Sequence, residues 1–204
     1  MNIAILIFDG AEELDFVGPW EVFTVAAAVI DAGREQAPVV YLVSERGGLI
    51  TCAKGMRVAS DFSFATAPAA DVILVPGGLG TRRELTNPSL LAWIASQSAG
   101  CRWTTSVCTG SMLLAAAGPA RGHRITTHWR AVPEAREKLA AIGCDVNVVE
   151  GVRWVVDGSI VTSAGISAGI DMTLWLVGQI YGEALGRAVT QHMEYDPAPP
   201  FALA

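Results

Sequence analysis

Short apolar runs that stop at turn residues constrain this chain more than any other feature. Asn2–Phe8 is the first, bounded by Asp9-Gly10. A run of that length without polar alternation fits a strand buried on both faces. Val39–Ser44, Asp71–Val75 and Arg102–Val107 repeat the signal. Between them lie stretches of helical composition. Pro19-Trp20-Glu21 opens an Ala/Val-rich helix that Gly33 closes, with Pro inside the start and Gly past the end. Asn87-Pro88 starts a helix running to about Ser98, and Thr109–Ala117 follows the fourth strand. Gly47–Ser60 reads as a hairpin-like excursion with a Gly-Gly turn. Further on, Arg124–Thr127 reads as a strand. Trp154–Val156 and Ile160–Thr162 form a hairpin about Asp157-Gly158. Ala168–Tyr181 is an apolar helix, and prolines keep Tyr195–Phe201 out of regular structure. Strands that alternate with helices predict an α/β fold with a mostly parallel sheet and helices on both faces.

The 204 residues predict one domain, 1–204, without repeat, linker or low-complexity tract. Charged residues make up 17% of the chain and apolar ones 51%, which points to a compact globular protein rather than a disordered one. The net charge is −6, and no basic run exceeds Arg82-Arg83, so nucleic acid is not an expected partner. No stretch reaches about 18 unbroken apolar residues, so a membrane span is not expected. The opening MNIAILIFDG lacks a basic n-region and a cleavage site, and reads as a strand rather than a signal peptide. Four cysteines, Cys52, Cys101, Cys108 and Cys144, form no C-x-x-C pair. This predicts neither a metal site nor a disulfide framework, and fits a reducing cytoplasm.

In parallel α/β sheets, ligands bind beyond the carboxyl ends of the strands. Three segments end strands there: Asp9–Asp15, Pro76–Gly80 and Val107–Thr109. Cys108 stands where a strand stops and a helix starts. An inert core cysteine can sit anywhere along either element. A nucleophile gains at this junction, because a helix N-terminus lowers thiol pKa and a sharp turn exposes the side chain. Gly77 and Gly78 permit close backbone approach, and their N–H groups are candidates to face a developing anion; a plain turn would need the same residues. Glu12 and Glu13 read as capping or solvated charge. Asp15, between Leu14 and Phe16, is the carboxylate expected to be partly enclosed, with a raised pKa suited to proton transfer. His128 follows Cys108 by twenty positions. It is a candidate base or orienting group, or equally a histidine held near a dimer contact.

These stretches together resemble the DJ-1/PfpI superfamily: strand–Pro76-Gly77-Gly78, the Ser106-Val107-Cys108-Thr109-Gly110 elbow, and Thr127-His128. Within it, four segments look most like the isocyanide (isonitrile) hydratase branch. They are Leu14–Pro19, Ser106–Ser111, Thr126–Trp129 and Ala164–Asp171; the tail Glu194–Phe201 is also similar. Asp15 stands where most of the superfamily carries Glu, as in the hydratases. Thr109 stands where the PfpI-type proteases place His, which argues against a peptidase. The resemblance implies a flavodoxin-like sandwich, usually a homodimer, with the cysteine on a strained elbow.

For function, it implies hydration of a small isocyanide to an N-formamide. Cys108 attacks to give a thioimidate, Asp15 moves protons, and Thr109 positions Asp15 or the water. Gly78 and Thr109 N–H groups orient the substrate, and Ile166 packs beside the cysteine. No cofactor or metal is implied. Two other functions remain open on the same residues: glyoxalase-like conversion of a glyoxal to a hydroxy acid, and a cysteine redox sensor without turnover.

Overall fold

The computed structural model describes residues 1–30 and 37–197. The expected helix stop at Gly33 and the tail beyond Pro197 lie outside them. In chain order the first half contains β1 (Asn2–Leu6), α1 (Glu13–Val29), β2 (Val39–Ser44), β3 (Gly48–Thr51), β4 (Arg57–Ser60), β5 (Phe62–Ser63), β6 (Val72–Val75), α2 (Thr81–Glu84) and α3 (Pro88–Ser98). The second half contains β7 (Trp103–Val107), α4 (Gly110–Ala117), β8 (Arg124–Ile125), a 3₁₀ turn (Trp129–Ala131), α5 (Val132–Ala141), β9 (Asn147–Val148), β10 (Trp154–Asp157), β11 (Ile160–Ser163), α6 (Ala168–Tyr181) and α7 (Glu183–His192).

The main sheet has seven strands in the order β10-β11-β7-β6-β1-β2-β5. Every pairing is parallel except β10 with β11, which meet as the expected hairpin, Asp157 opposite Ile160. Helices α1 and α6 pack on one face, and α3 and α4 on the other. This is the expected flavodoxin-like α/β sandwich. Its strands read as continuous apolar runs because both faces are covered: Ile3, Ile5, Leu6, Ile73 and Leu74 are fully buried. The chain leaves β1 toward β2 on one side, then returns to β6 on the other. The resulting switch point between β1 and β6 opens a crevice at their carboxyl ends.

Several sequence expectations change. The first helix begins at Glu13, so Pro19 lies inside it rather than at its start. Proline lacks the N–H that would bond the Asp15 carbonyl, yet burial of Phe16, Val22 and Phe23 holds the helix together. Thr126 and Thr127 are not strand. Only Arg124 and Ile125 are, paired in parallel with the unanticipated β9 outside the main sheet. β5, α2 and α7 are also unanticipated, being short or polar. Among the described residues no helix is long and apolar enough to cross a membrane.

Candidate active site

The segments after β1, β6, β7 and β11 gather at one end of the sheet and lock together. Ala11 bridges Gly78, and the Glu12 N–H donates to the Gly77 carbonyl at 2.9 Å. At Gly78, φ is +126°, and a Cβ there would sit 2.4 Å from both Glu12 N and Gly10 O. No larger residue fits.

Cys108 occupies the turn between β7 and α4 with φ +56°, a left-handed conformation rare for a residue with a Cβ. Long-range hydrogen bonds hold it. Its N–H is shared between the Ser163 and Ala164 carbonyls at 3.1 and 3.2 Å. Its carbonyl accepts from Thr127 Oγ1 at 3.0 Å and Ser111 Oγ at 3.2 Å. Gly110 follows because a Cβ would meet the Val75 carbonyl at 2.1 Å. The residue is 7% exposed.

Asp15, in the first turn of α1, is wholly buried, more enclosed than its sequence context suggests. Its Oδ2 accepts the Gly77 N–H at 2.9 Å. The Ile166 N–H and the Cys108 thiol also lie close enough to favour its charged form, although Oδ1 completes no well-formed hydrogen bond. Burial dominates: it pushes the Asp15 carboxyl up to about 7, helped by the charge of Glu12 and opposed by the Gly77 N–H.

The thiol behaves differently from the sequence expectation. Burial, then the negative field of Asp15, push Cys108 up to about 12, and the N–H and hydroxyl of Thr109 counter this only in part. The helix N-terminus therefore does not make Cys108 a resting thiolate. Cys108 keeps its proton through neutral pH, and Asp15 takes up the pair's second proton at about 7.

The two glycine N–H groups also differ from expectation. Neither is left open for an anion on a ligand. Gly77 donates to Asp15, and Gly78 donates to Thr109 Oγ1 at 3.1 Å. Thr109 in turn meets Thr81 Oγ1 at 2.8 Å. Its side chain thus braces the Gly78 turn rather than touching Asp15. A Cβ on Gly77 would lie 2.5 Å from Thr109 N and 2.9 Å from Cys108 Cβ.

A cavity of about 200 Å³ opens over Cys108, walled by Glu12, Leu79, Arg82, His128 and Ile166 among others. His128 is brought to the cysteine, as anticipated from its spacing. Its Nδ1 accepts the Arg130 N–H at 3.2 Å, and burial followed by the charge of Arg130 lowers its pKa. The ring is therefore neutral with its proton on Nε2. Ile166 forms another wall and, like Cys108, is left-handed, at φ +57°. Trp129 is 71% exposed beside the cavity, with the Arg130 guanidinium 4.8 Å from its ring centre. Among the described residues no cluster of His, Cys, Asp or Glu could hold a metal ion.

Sequence reasoning missed three groups. Thr127 secures the Cys108 carbonyl, Thr81 anchors Thr109, and Arg82 spans from Gly78 O to Glu134 across the cavity rim. Thr127 stood in a quoted motif without a role. The other two carry no local signal.

Sequence and fold comparisons agree with this architecture. The DJ-1/PfpI family matches residues 1–179, and the chain belongs to that family. Isonitrile hydratase from Pseudomonas putida is 37% identical over 201 residues, covering 98% of this chain and 81% of that protein. A ThiJ/PfpI family protein from Pseudomonas syringae superposes with a TM-score of 0.85 at 31% identity, over 98% of this chain and 77% of that one. The HTH-type transcriptional regulator GbdR of Pseudomonas aeruginosa is 28% identical over 76% of this chain, which spans 41% of its length.

Proposed function

We propose that this protein is an isocyanide hydratase, a cysteine-dependent lyase that converts R–N≡C and water to an N-formamide. The observation that carries the reading is Cys108 in the wall of a small cavity, with the buried Asp15 carboxyl beside it. Isocyanide hydration asks for that pairing. The terminal carbon must receive a sulfur and a proton together, and a thiol whose proton passes through a carboxyl near pH 7 supplies both.

In the first half-reaction, Asp15 accepts the thiol proton as sulfur attacks the terminal carbon. It then delivers that proton to the same carbon, leaving Cys–S–CH=N–R. In the second, water adds to the thioimidate carbon. Asp15 accepts a water proton and passes it to the nitrogen, and the tetrahedral adduct collapses as its hydroxyl proton moves to sulfur. The carbon–sulfur bond breaks, HC(=O)–NH–R leaves, and the thiol regains its proton. Atoms and charge balance without a cofactor. Gly77 steadies the ionised form of Asp15, Thr109 and Gly78 fix the turn over it, and Ile166 and His128 shape the substituent's side of the cavity. The protein acts as one domain, assembles as a homodimer and works in the cytoplasm, with a small isocyanide as its ligand.

A peroxide sensor would instead gain mass at Cys108 on peroxide treatment without turning over any small substrate. The test is incubation with an aryl isocyanide, following N-formamide. Turnover by the wild type and none by Cys108→Ala is the expected result. Equal turnover by both removes the covalent scheme. Hydroxy-acid formation from methylglyoxal, with no formamide from isocyanide, moves the protein to the glyoxalase reading.

A further inference from the structure

Two segments, Ala164–Asp171 and the stretch after α7, meet in space; the reaction uses them only through Ile166. Tyr195 donates from its hydroxyl to Asp171 Oδ1 at 2.7 Å. The other Asp171 oxygen pairs with the Arg153 guanidinium through both Nε and Nη2. Arg153 in turn accepts the Ala164 N–H on its carbonyl at 2.8 Å, and the Ala164 carbonyl accepts the Cys108 N–H. One continuous path therefore runs from the C-terminal turn to the cysteine elbow.

The path also connects the strained points of the backbone. Among the described residues, three non-glycines have positive φ: Cys108, Ile166 and Glu194. Glu194 at φ +49° reverses the chain after α7, and the Tyr195 N–H bonds back to the Thr190 carbonyl, which presents Tyr195 to α6. Asp171 lies in the first turn of α6, immediately after the Ile166 segment. Such strain persists only where the surroundings over-determine it. The Ile166 segment is gripped from three sides: Arg153 holds Ala164, Gly165 packs against the His128 ring, and Ile170 packs against Gly18 in α1. Asp171 is a further hold, from the polar side.

We propose that Tyr195, Asp171 and Arg153 are positioning residues that clamp the Ile166 segment and so set the reactivity of the Cys108–Asp15 pair from outside the cavity. The inference rests on reading Cys108 and Asp15 as the reacting pair. The Ile166 N–H lies against the Asp15 carboxyl and favours its ionised form. When the clamp loosens, that N–H withdraws, and Asp15 holds its proton to higher pH. Burial and Asp171 raise the Tyr195 hydroxyl to about 12, so it remains a donor throughout the working range.

The test is the pH profile of Cys108 alkylation by iodoacetamide, read by mass on the Cys108 peptide, for wild type, Tyr195→Phe and Arg153→Gln. It needs no isocyanide, so its outcome is separate from that of the hydratase assay. In the wild type, the rate is expected to fall as the pair takes up its second proton, and Asp15→Asn removes that limb. In each variant that retains the wild-type circular dichroism, the limb moves to higher pH by about half a unit or more. With an active isocyanide substrate, kcat falls several-fold while KM holds. Folded variants whose limb superimposes on the wild type, whatever their thermal stability, overturn the proposal. So does a wild-type profile with no limb that Asp15 controls. A shifted limb in a protein that turns over no isocyanide keeps the clamp and discards the substrate.

Discussion

β6 and β7 are neighbours in the sheet, and the turns that follow them lie against each other, yet they are built on opposite plans. After β6 the chain offers its backbone: Gly77 and Gly78 turn their N–H groups onto Asp15 and Thr109. After β7 it offers a side chain, the thiol of Cys108, from a residue at φ +56°. A glycine reaches such geometry without steric cost. A residue with a Cβ gives up on the order of 1–2 kcal/mol, which the surrounding hydrogen bonds must offset. The difference teaches that strain is kept where a side chain is needed and avoided where the backbone suffices. Each turn also limits the other, since Gly77 leaves no room for a Cβ against Cys108 and Thr109.

Removing the side chain for which the strain is held gives the largest expected effect. Cys108→Ala should lose at least about a thousandfold in formamide formation, as expected for a covalent nucleophile. It should do so without unfolding, as circular dichroism will check. Asp15→Asn should also lose most turnover, at least about a hundredfold for a removed proton-transfer group. Wild-type kcat/KM should fall as pH drops below about 7, where Asp15 takes up its proton, and the variant should lack that limb.

Stability gives the same variant a second readout. Folded Asp15 keeps its proton to about 7, whereas an unfolded aspartate loses it near 4. Wild-type stability should therefore decline as pH climbs from about 4 to about 7, by at most roughly 4 kcal/mol. Asp15→Asn should be flatter in urea titrations across that window. A wild-type curve without this decline would contradict the raised carboxyl.

The glycine turn should be the next most sensitive. Gly77→Ala places a Cβ 2.5 Å from Thr109 N, a backbone atom with nowhere to go. A loss of about 2–3 kcal/mol is expected, or roughly 5–10 °C in Tm, with turnover depressed alongside. Thr127→Val should be the mildest. It removes one hydrogen bond to the Cys108 carbonyl and keeps the shape, so about 1 kcal/mol and a few-fold in kcat are expected. A larger loss of activity than of stability would show that Thr127 tunes the elbow and does not merely support it.

Much of this arrangement is legible in the chain before folding. Buried parallel strands are apolar along their whole length, so Asn2–Leu6 and Val72–Val75 announce themselves without partners. Gly77, Gly78 and Cys108 lie just beyond β6 and β7, where a parallel sheet collects its loops, and Asp15 lies in the first turn of the helix after β1. Harder to see were α2, β5 and β9, of two to four residues each, because so few residues carry no periodicity. Pro19 mimics a first-turn proline and so points to a helix start later than Glu13, and only the burial of Phe16 and its neighbours overrides that signal.

Residue type and order thus determined the layered α/β fold, the end of the sheet that carries the site, and which cysteine stands at a junction. These follow from local rules of periodicity and turn chemistry. Charge states did not. A helix N-terminus favours a thiolate, yet Cys108 is pushed the other way, because the protein closes over it and brings in Asp15 from 93 positions earlier in the chain. Whether Gly77 and Gly78 face a ligand or a protein group, and whether Tyr195 reaches Asp171, likewise depend on distances that exist only after the sheet has assembled. Desolvation and hydrogen-bond partnership are properties of the enclosed space, and no single segment contains them.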